Sequence, residues 1–203
     1  MSPESTLMRI HQAARREFRE RGFRGASLRS IVKSLGMTTG AFYGYYKSKE
    51  ELFAALVEDH YRYLMDRFRQ AQEAFARLPS QRQPEVLGDF SGACLFDMLH
   101  YAYDHLEDCQ LLLCSAEGTR FAGLVDEMVQ IETDATHSYF QVLEELGRPV
   151  PDIDLRLEHI LITGMFHTFF ELIIHAMPIG EAENYLREMR TFYTAGWMKI
   201  MGQ

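Results

Sequence analysis

The run Gly36-Met37-Thr38-Thr39-Gly40-Ala41, followed by Tyr43, Tyr45 and Lys49, gathers small, hydroxylated and cationic residues in fourteen positions. No nucleophile stands at motif spacing from a base, and there is no phosphate loop, so the chemistry these types support is non-covalent. They can hold a polyanion. Gly36 permits a tight turn. Thr38 caps a helix beginning there and offers an N–H and a hydroxyl to a phosphate. Gly40 lets the backbone approach closely. Thr39 and Ala41 are short enough to reach base edges in a major groove, where a methyl meets thymine and a hydroxyl donates or accepts. Tyr43 and Tyr45 suit phosphate or sugar contacts, and Lys49 adds a charge. Ser27 and Arg29, at the start of the preceding helix, complete the expected DNA-contacting set.

The charge distribution agrees with that chemistry. The chain has 203 residues and a net charge of −8, which taken alone argues against a nucleic-acid partner. Resolved by position, residues 1–49 hold ten basic and three acidic side chains, a net +7, and residues 50–203 a net −15. A basic head on an acidic body suits electrostatic DNA contact, because phosphate neutralisation supplies most salt-dependent affinity. Three cysteines are too few for a disulfide scaffold, which points to a reducing cytoplasm. No apolar segment of signal-peptide length precedes the first arginines, and no segment has the length of a clean membrane span. The nearest, 160–177, carries His167, Glu171 and His175 and reads as a buried helix, so no membrane partner is expected.

The elements that position these residues are all helical. Strand signals are weak and apolar residues recur every three or four positions. A first helix is expected over about 5–21, with a stripe of Leu7, Met8, Ile10, Ala14 and Phe18 and a stop at Gly22. A second runs from a Ser27 cap to Gly36, and a third opens at Thr38. A long helix, 48–77, opens with a capping box in which Ser48 meets the Glu51 N–H and Glu51 the Ser48 N–H. After a loop over 78–84, helices are expected at about 85–106, 109–115, 118–146, 153–177 and 181–201. Phe18, Ile31, Leu35, Phe42 and Tyr46 fall at the spacing of a small core beneath the first three helices.

Ile10, Ala13-Ala14, Phe18, Gly22-Phe23, Ser27, Ile31, Leu35-Gly36-Met37-Thr38, Gly40, Phe42-Tyr43, Tyr45-Tyr46, Lys49 and Leu52 resemble the DNA-binding domain of TetR-family transcriptional regulators. The resemblance covers about 45 residues. It implies an all-α protein with an N-terminal three-helix helix-turn-helix DNA-binding domain, 1–49, and a C-terminal helical effector-binding and dimerisation domain, 50–203. It further implies a homodimer on a double-stranded DNA operator, a repressor released by a small-molecule effector, and a four-helix dimer bundle from the last two helices. Phe169, Ile173, Met189, Phe192 and Trp197 are the expected interface.

In the body, helical projection places Glu132 inside the stripe of Phe121, Val125, Met128, Ala135 and Tyr139, and His105 inside that of Leu87, Cys94, Met98 and Tyr101. A polar group on an apolar face either finds an internal partner or faces a cavity. The cavity alternative assigns Met98, Tyr101, His105, Phe121, Met128, Glu132 and Phe166 to a hydrophobic or cationic effector. Asp97, His100 and Asp104 share a face at metal-ligand spacing, but Asp89 lies there too, which reads as a solvated acidic face. Cys109 and Cys114 diverge on a helix. No metal, cofactor or catalytic residue is expected. The alternative function is a DNA-localised protein adaptor with no small-molecule effector.

Overall fold

The computed structural model describes residues 3–150 and 152–200, the side chains of Pro3 and of 88–91 excepted, so the expectation for Asp89 lies outside the described residues. Among the described residues there are nine α-helices, one 3-10 turn and no strand. The chain forms two compact units. The first holds α1 (Pro3–Gly25), α2 (Leu28–Ser34), α3 (Thr39–Tyr43), the first half of α4 (Lys49–Ala76) and α6 (Leu106–Ser115) with the turns that follow it. The second holds the rest of α4, the 3-10 turn Ser80–Arg82, α5 (Gln83–Asp104), α7 (Leu124–Glu145), α8 (Leu155–Ile174) and α9 (Ile179–Ile200). The end of the sequence motif near residue 49 is therefore not where compactness divides the chain, since residues up to 63 and 105–123 pack with the head.

In the first unit, Ile10, Ala14 and Phe18 of α1 meet Ile31 of α2, Phe42 of α3 and Leu52 and Phe53 of α4, each at most 1% exposed. Phe53 stands edge-on to Phe18 at 4.9 Å and to Phe23 at 5.3 Å. Full burial of one such side chain contributes ~1.5–3 kcal/mol, so this cluster dominates the stability of a small head. Met8, expected on the buried stripe, is 60% exposed. Gly22 takes φ +64°, as a stop requires, yet the helix resumes beyond it to Gly25, so α1 is broken there and not ended. Gly36 takes φ +65° and makes the turn after α2. The Ser48 cap meets Glu51 N–H at 3.1 Å, but Glu51 accepts from Lys47 N–H, one residue before the expected partner.

α6 packs on α1 within this unit and opens three residues earlier than expected. α7 opens six residues later, at Leu124. Thr119 explains the delay: its hydroxyl donates to Ala116 O at 2.7 Å and accepts from Phe121 N–H at 3.1 Å, holding a turn that competes with helix. In the second unit α7 packs on α8, and α5 on α8 and α9. α8 is long and apolar enough to cross a membrane, with mean hydropathy 1.4 over its 18-residue window, which corrects the expectation that no segment reaches that length. One face of it is used internally, with Ile162, Phe166, Phe169, Phe170 and Ile173 at most 1% exposed, while Leu155, Leu157 and Ile160 are exposed.

Candidate nucleic-acid interface and body cavity

The head presents α3 as a short helix whose own backbone is satisfied from inside. Thr38 sits in extended conformation at its N-cap and accepts the Ala41 N–H at 3.2 Å. Phe42 points inward, fully buried, while Thr38, Thr39, Gly40, Ala41 and Tyr43 are exposed. A Cβ at Gly40 would meet nothing within 4 Å, so the space before that backbone is open. Tyr45 is half-buried. Tyr46 is buried, and its hydroxyl lies 2.5 Å from His11 Nε2, which ties α1 to the chain just after α3.

α2 is capped from outside. Ser27 and Arg29 are exposed, and Ser27 has the extended conformation of a cap but makes no side-chain cap bond. Glu17 replaces it: its carboxylate accepts the Ser27 N–H at 3.0 Å and the Ser30 hydroxyl at 2.8 Å from a site 9% exposed. An anion at a helix N-terminus satisfies orphan N–H groups and the local dipole together. The sequence signal was a glutamate on the same face as Ala13, Ala14 and Phe18.

Lys49 corrects an expectation. Its ammonium does not face outward but donates to Phe23 O at 2.6 Å and Ala26 O at 3.0 Å, and lies 4.5 Å from the centre of the Phe23 ring. It pins the end of α1 to the start of α4. Three more of the ten basic residues turn to α6 and the turn after it: Arg15 grips Asp108 with two bonds of 2.6 and 2.7 Å, Arg19 meets Glu107, and Arg24 meets Glu117. Residues 50–63 add net −3 and 105–123 net −2, leaving the unit at +2. Arg29, Lys33 and Lys47 remain exposed beside α2 and α3. Burial alone would raise the Asp108 carboxyl, but hydrogen bonds from Arg15 and His60 outweigh it and hold the group at about 2. Burial also lowers His11, with Arg15 acting in the same direction.

The second unit encloses a cleft with about 1220 Å³ of empty space, its mouth included. Phe68, Gln72 and Phe75 of α4, Leu87, Gly92, Cys94 and Leu95 of α5, Glu132, Thr136 and Tyr139 of α7, Met165 and Phe166 of α8, and Arg190, Tyr193 and Trp197 of α9 are among its walls. Glu132 accepts from Gln72 Nε2 at 2.6 Å; burial pushes its carboxyl up to about 7, against the opposing pull of that amide. Burial likewise raises the Cys94 thiol to about 11 and Cys109 to about 12. The guanidinium stem of Arg190 lies across Gly92, where a Cβ would collide with its Nε, Cδ and Cζ.

Of the seven residues assigned from sequence to an effector, Glu132 and Phe166 line this cleft. Met98 and Met128 are fully buried core residues, and half-buried Tyr101 lies outside the lining. His105 and Phe121 belong to the first unit: His105 precedes α6 with its ring 4.9 Å from His60, and Phe121 packs on Tyr61 at 5.4 Å. The break at Thr119 removed Phe121 from the helix whose projection had placed it beside Glu132. Gln72 and Arg190 also line the cleft and are absent from the sequence-derived set, since each is one polar residue on a helix read for its apolar stripe.

The expected dimer residues also divide. Phe169 and Ile173 are 0% exposed inside the unit, where α8 turns its most apolar face, and cannot meet a partner. Met189 and Trp197 line the cleft. Phe192 is 73% exposed, and Leu157 and Ile160 of α8 and Tyr185 of α9 are exposed as well. Asp97 is held by Arg67 at 2.6 Å and His100 by Glu183 at 2.7 Å, so each has an ionic partner of its own. Cys109 is buried and Cys114 exposed.

Residues 10–56 match the model of the family described as bacterial regulatory proteins, tetR family. Over 51 residues the chain is 47% identical to the uncharacterized HTH-type transcriptional regulator YdgC of Bacillus subtilis, covering 25% of this chain and 26% of that protein. Over 70 residues it is 37% identical to the HTH-type transcriptional regulator UidR of Escherichia coli, covering 34% and 36%. The chain thus spans only a quarter to a third of the curated relatives it matches. Among solved structures, Salmonella enterica GusR aligns over 100% of this chain and 98% of its own at 19% identity and a TM-score of 0.53. The TetR-family regulator PfmR of Thermus thermophilus aligns over 91% and 96% at 14% identity and a TM-score of 0.51. These two share the fold of the whole chain.

Proposed function

We propose that the chain is a TetR-family regulator, a cytoplasmic homodimeric repressor released from a palindromic operator by a small-molecule effector; the family match over residues 10–56 and the fold shared with a solved structure over the whole chain support the reading. The observation that carries the reading is α3: a helix whose inner face is fixed by Phe42 and whose outer face offers Thr38, Thr39, Gly40, Ala41 and Tyr43. Those side chains meet base edges and phosphates in one major groove, with Ser27, Arg29 and Tyr45 on the flanking backbone. One short helix reads few bases, so two copies bind half-sites about 34–36 Å apart, one helical turn. The outward residues Leu157, Ile160, Tyr185 and Phe192 supply the interface between copies. The cleft of the second unit receives the effector, and α4, which contributes to both units, transmits its occupancy to the head. The cleft also favours this reading over an adaptor, for which a solid body would serve.

The experiment is anisotropy titration of labelled DNA from upstream of the protein's own gene at several salt concentrations. Binding that weakens steeply with salt, and that is lost in Tyr43→Ala without loss of fold, supports the head's role. Phe192→Glu tests the dimer: sedimentation should give monomer, and operator affinity should fall together with half-site cooperativity. Effector control is disproved if ligand-saturated protein binds its operator as tightly as the free form.

A further inference from the structure

α3 has five residues, so it makes few backbone bonds of its own and its direction depends on what anchors its ends. Its inner face is held by Phe42. Beyond the C-cap Gly44, Tyr46 supplies a second anchor: its N–H donates to Phe42 O at 3.2 Å, and its buried ring lies 6.2 Å from that of Phe42. The Tyr46 hydroxyl reaches back to α1, where His11 Nε2 stands 2.5 Å away. One turn further along α1, Arg15 is gripped by Asp108 of α6, and Asp108 also meets His60 of α4 at 3.6 Å. All of these groups belong to the first unit.

We propose that His11 is a positioning residue for DNA reading: as a neutral imidazole it accepts the Tyr46 hydroxyl proton at Nε2 and so fixes the end of the recognition helix, and its protonation releases that end. This deepens the DNA-binding reading given above and rests on it. A neutral imidazole has one acceptor nitrogen and an imidazolium has none. Protonation therefore turns the phenol proton away, at a site 9% exposed where, among the described residues, the hydroxyl has no second partner. The charged groups facing the imidazole are Arg15 on its own helix and Asp108 from α6, while Glu51 of α4 acts on Tyr46 from the other side. Burial and Arg15 both favour the neutral ring against the opposing pull of Asp108, so His11 is neutral at neutral pH and takes a proton only below the ordinary 6.5. Asp108 itself is engaged by both nitrogens of the Arg15 fork. A released α3 loses the contacts that need close placement, those of Thr39 and Ala41 to base edges. It spares the diffuse attraction of the exposed Arg29, Lys33 and Lys47 for phosphate.

The measurement is the ratio of affinities for DNA from upstream of the protein's own gene and for unrelated DNA, taken by anisotropy at fixed salt from about pH 7.5 down to about pH 5. Taking the ratio cancels the general gain in phosphate attraction that any protonated histidine brings. In the wild type the ratio should fall about fivefold on acidification, the effect of losing one hydrogen bond. His11→Gln keeps an acceptor, its amide oxygen, near the position of Nε2 but does not titrate, so its ratio should hold the neutral wild-type value throughout. His11→Leu and Tyr46→Phe should give the low ratio at every pH. In the free protein, the ring nitrogen shifts of His11 in NMR should show an unprotonated Nε2 at neutral pH. A ratio that stays level in the wild type, or that changes alike in His11→Gln, overturns the proposal, as does an Nε2 that bears the proton at neutral pH. Where His11→Leu or Tyr46→Phe does not fold, the comparison of wild type with His11→Gln decides. Wild type with no preference for the upstream DNA at neutral pH overturns the DNA-reading assignment itself, whatever the imidazole does.

Discussion

Asp108 of the first unit and Glu132 of the second are both carboxylates withdrawn from water, and the two units treat them in opposite ways. Asp108 is met by a bidentate arginine and a histidine and is held at about 2. Glu132 is met by one neutral amide and is pushed to about 7. The same contrast runs through each unit. In the head, Glu17 caps α2 and Lys49 closes on two backbone carbonyls of the α1–α2 junction, so buried charge is spent on holding three short helices in register. In the body, the Glu132 carboxyl lines a cleft. These buried groups of the head act as mortar, whereas Glu132 of the body has a single neutral donor.

The largest expected effects test the mortar. Lys49→Met removes the ammonium but keeps the apolar stem, leaving Phe23 O and Ala26 O without their donor; charge-assisted bonds of this kind are worth about 2–3 kcal/mol together. Glu17→Ala should cost a similar amount by exposing the α2 cap. Denaturant unfolding of both variants should show the loss. Lys49→Met also distinguishes a structural from a DNA-contacting lysine: where the variant is still folded, the salt slope of DNA binding should match that of the wild type, whereas loss of a phosphate contact would flatten it by about one unit.

Next in size are the two pH slopes, which have opposite signs. Asp108 is held below the ordinary 3.8, so its contribution is present above that value and is lost as pH falls from about 4 to about 2. Glu132 is held above the ordinary 4.5, so the folded body favours its protonated form, and stability falls as pH rises from about 4.5 through about 7. Each amounts to about 2–3 kcal/mol. Unfolding measured across pH should therefore lose its acid limb in Asp108→Asn, and should lose its near-neutral decline in Glu132→Gln. Identical slopes in the two variants would erase the contrast between the units.

How far the sequence could be read follows the range of the interactions. Gly36, Thr38 and Phe42 have their roles fixed by neighbours within a turn, and those roles are the ones seen. Glu17 acts on residues ten and thirteen positions away, and Lys49 on carbonyls 23 to 26 positions back; spacing along one helix carries no trace of either. The body fails for a different reason. Periodicity shows that α8 and α9 have apolar faces but not what covers each face, so Phe169 and Ile173, which fill the core, and Met189 and Trp197, which line the cleft, all read alike as interface. One side-chain turn at Thr119 was enough to move Phe121 from the cleft to the head, because projection assumes an unbroken helix.

The smallest effect isolates the surface that neither mortar nor cleft involves. Tyr43 is 52% exposed, and its ring touches Phe42 edge-on at 5.9 Å. Tyr43→Phe keeps that ring contact and deletes only the hydroxyl, so unfolding should be unchanged within about 0.5 kcal/mol, the range expected of surface substitutions. If the hydroxyl donates to a phosphate, one hydrogen bond of about 1 kcal/mol is lost, and affinity should drop about fivefold. Phosphate contacts carry no direct sequence information, so the drop should be the same on operator and on unrelated DNA. A neutral hydroxyl releases no counterion, so the salt slope should stay constant. A drop confined to the operator would instead assign Tyr43 to a base edge, and would place more of the reading helix in the groove than Thr39 and Ala41 alone.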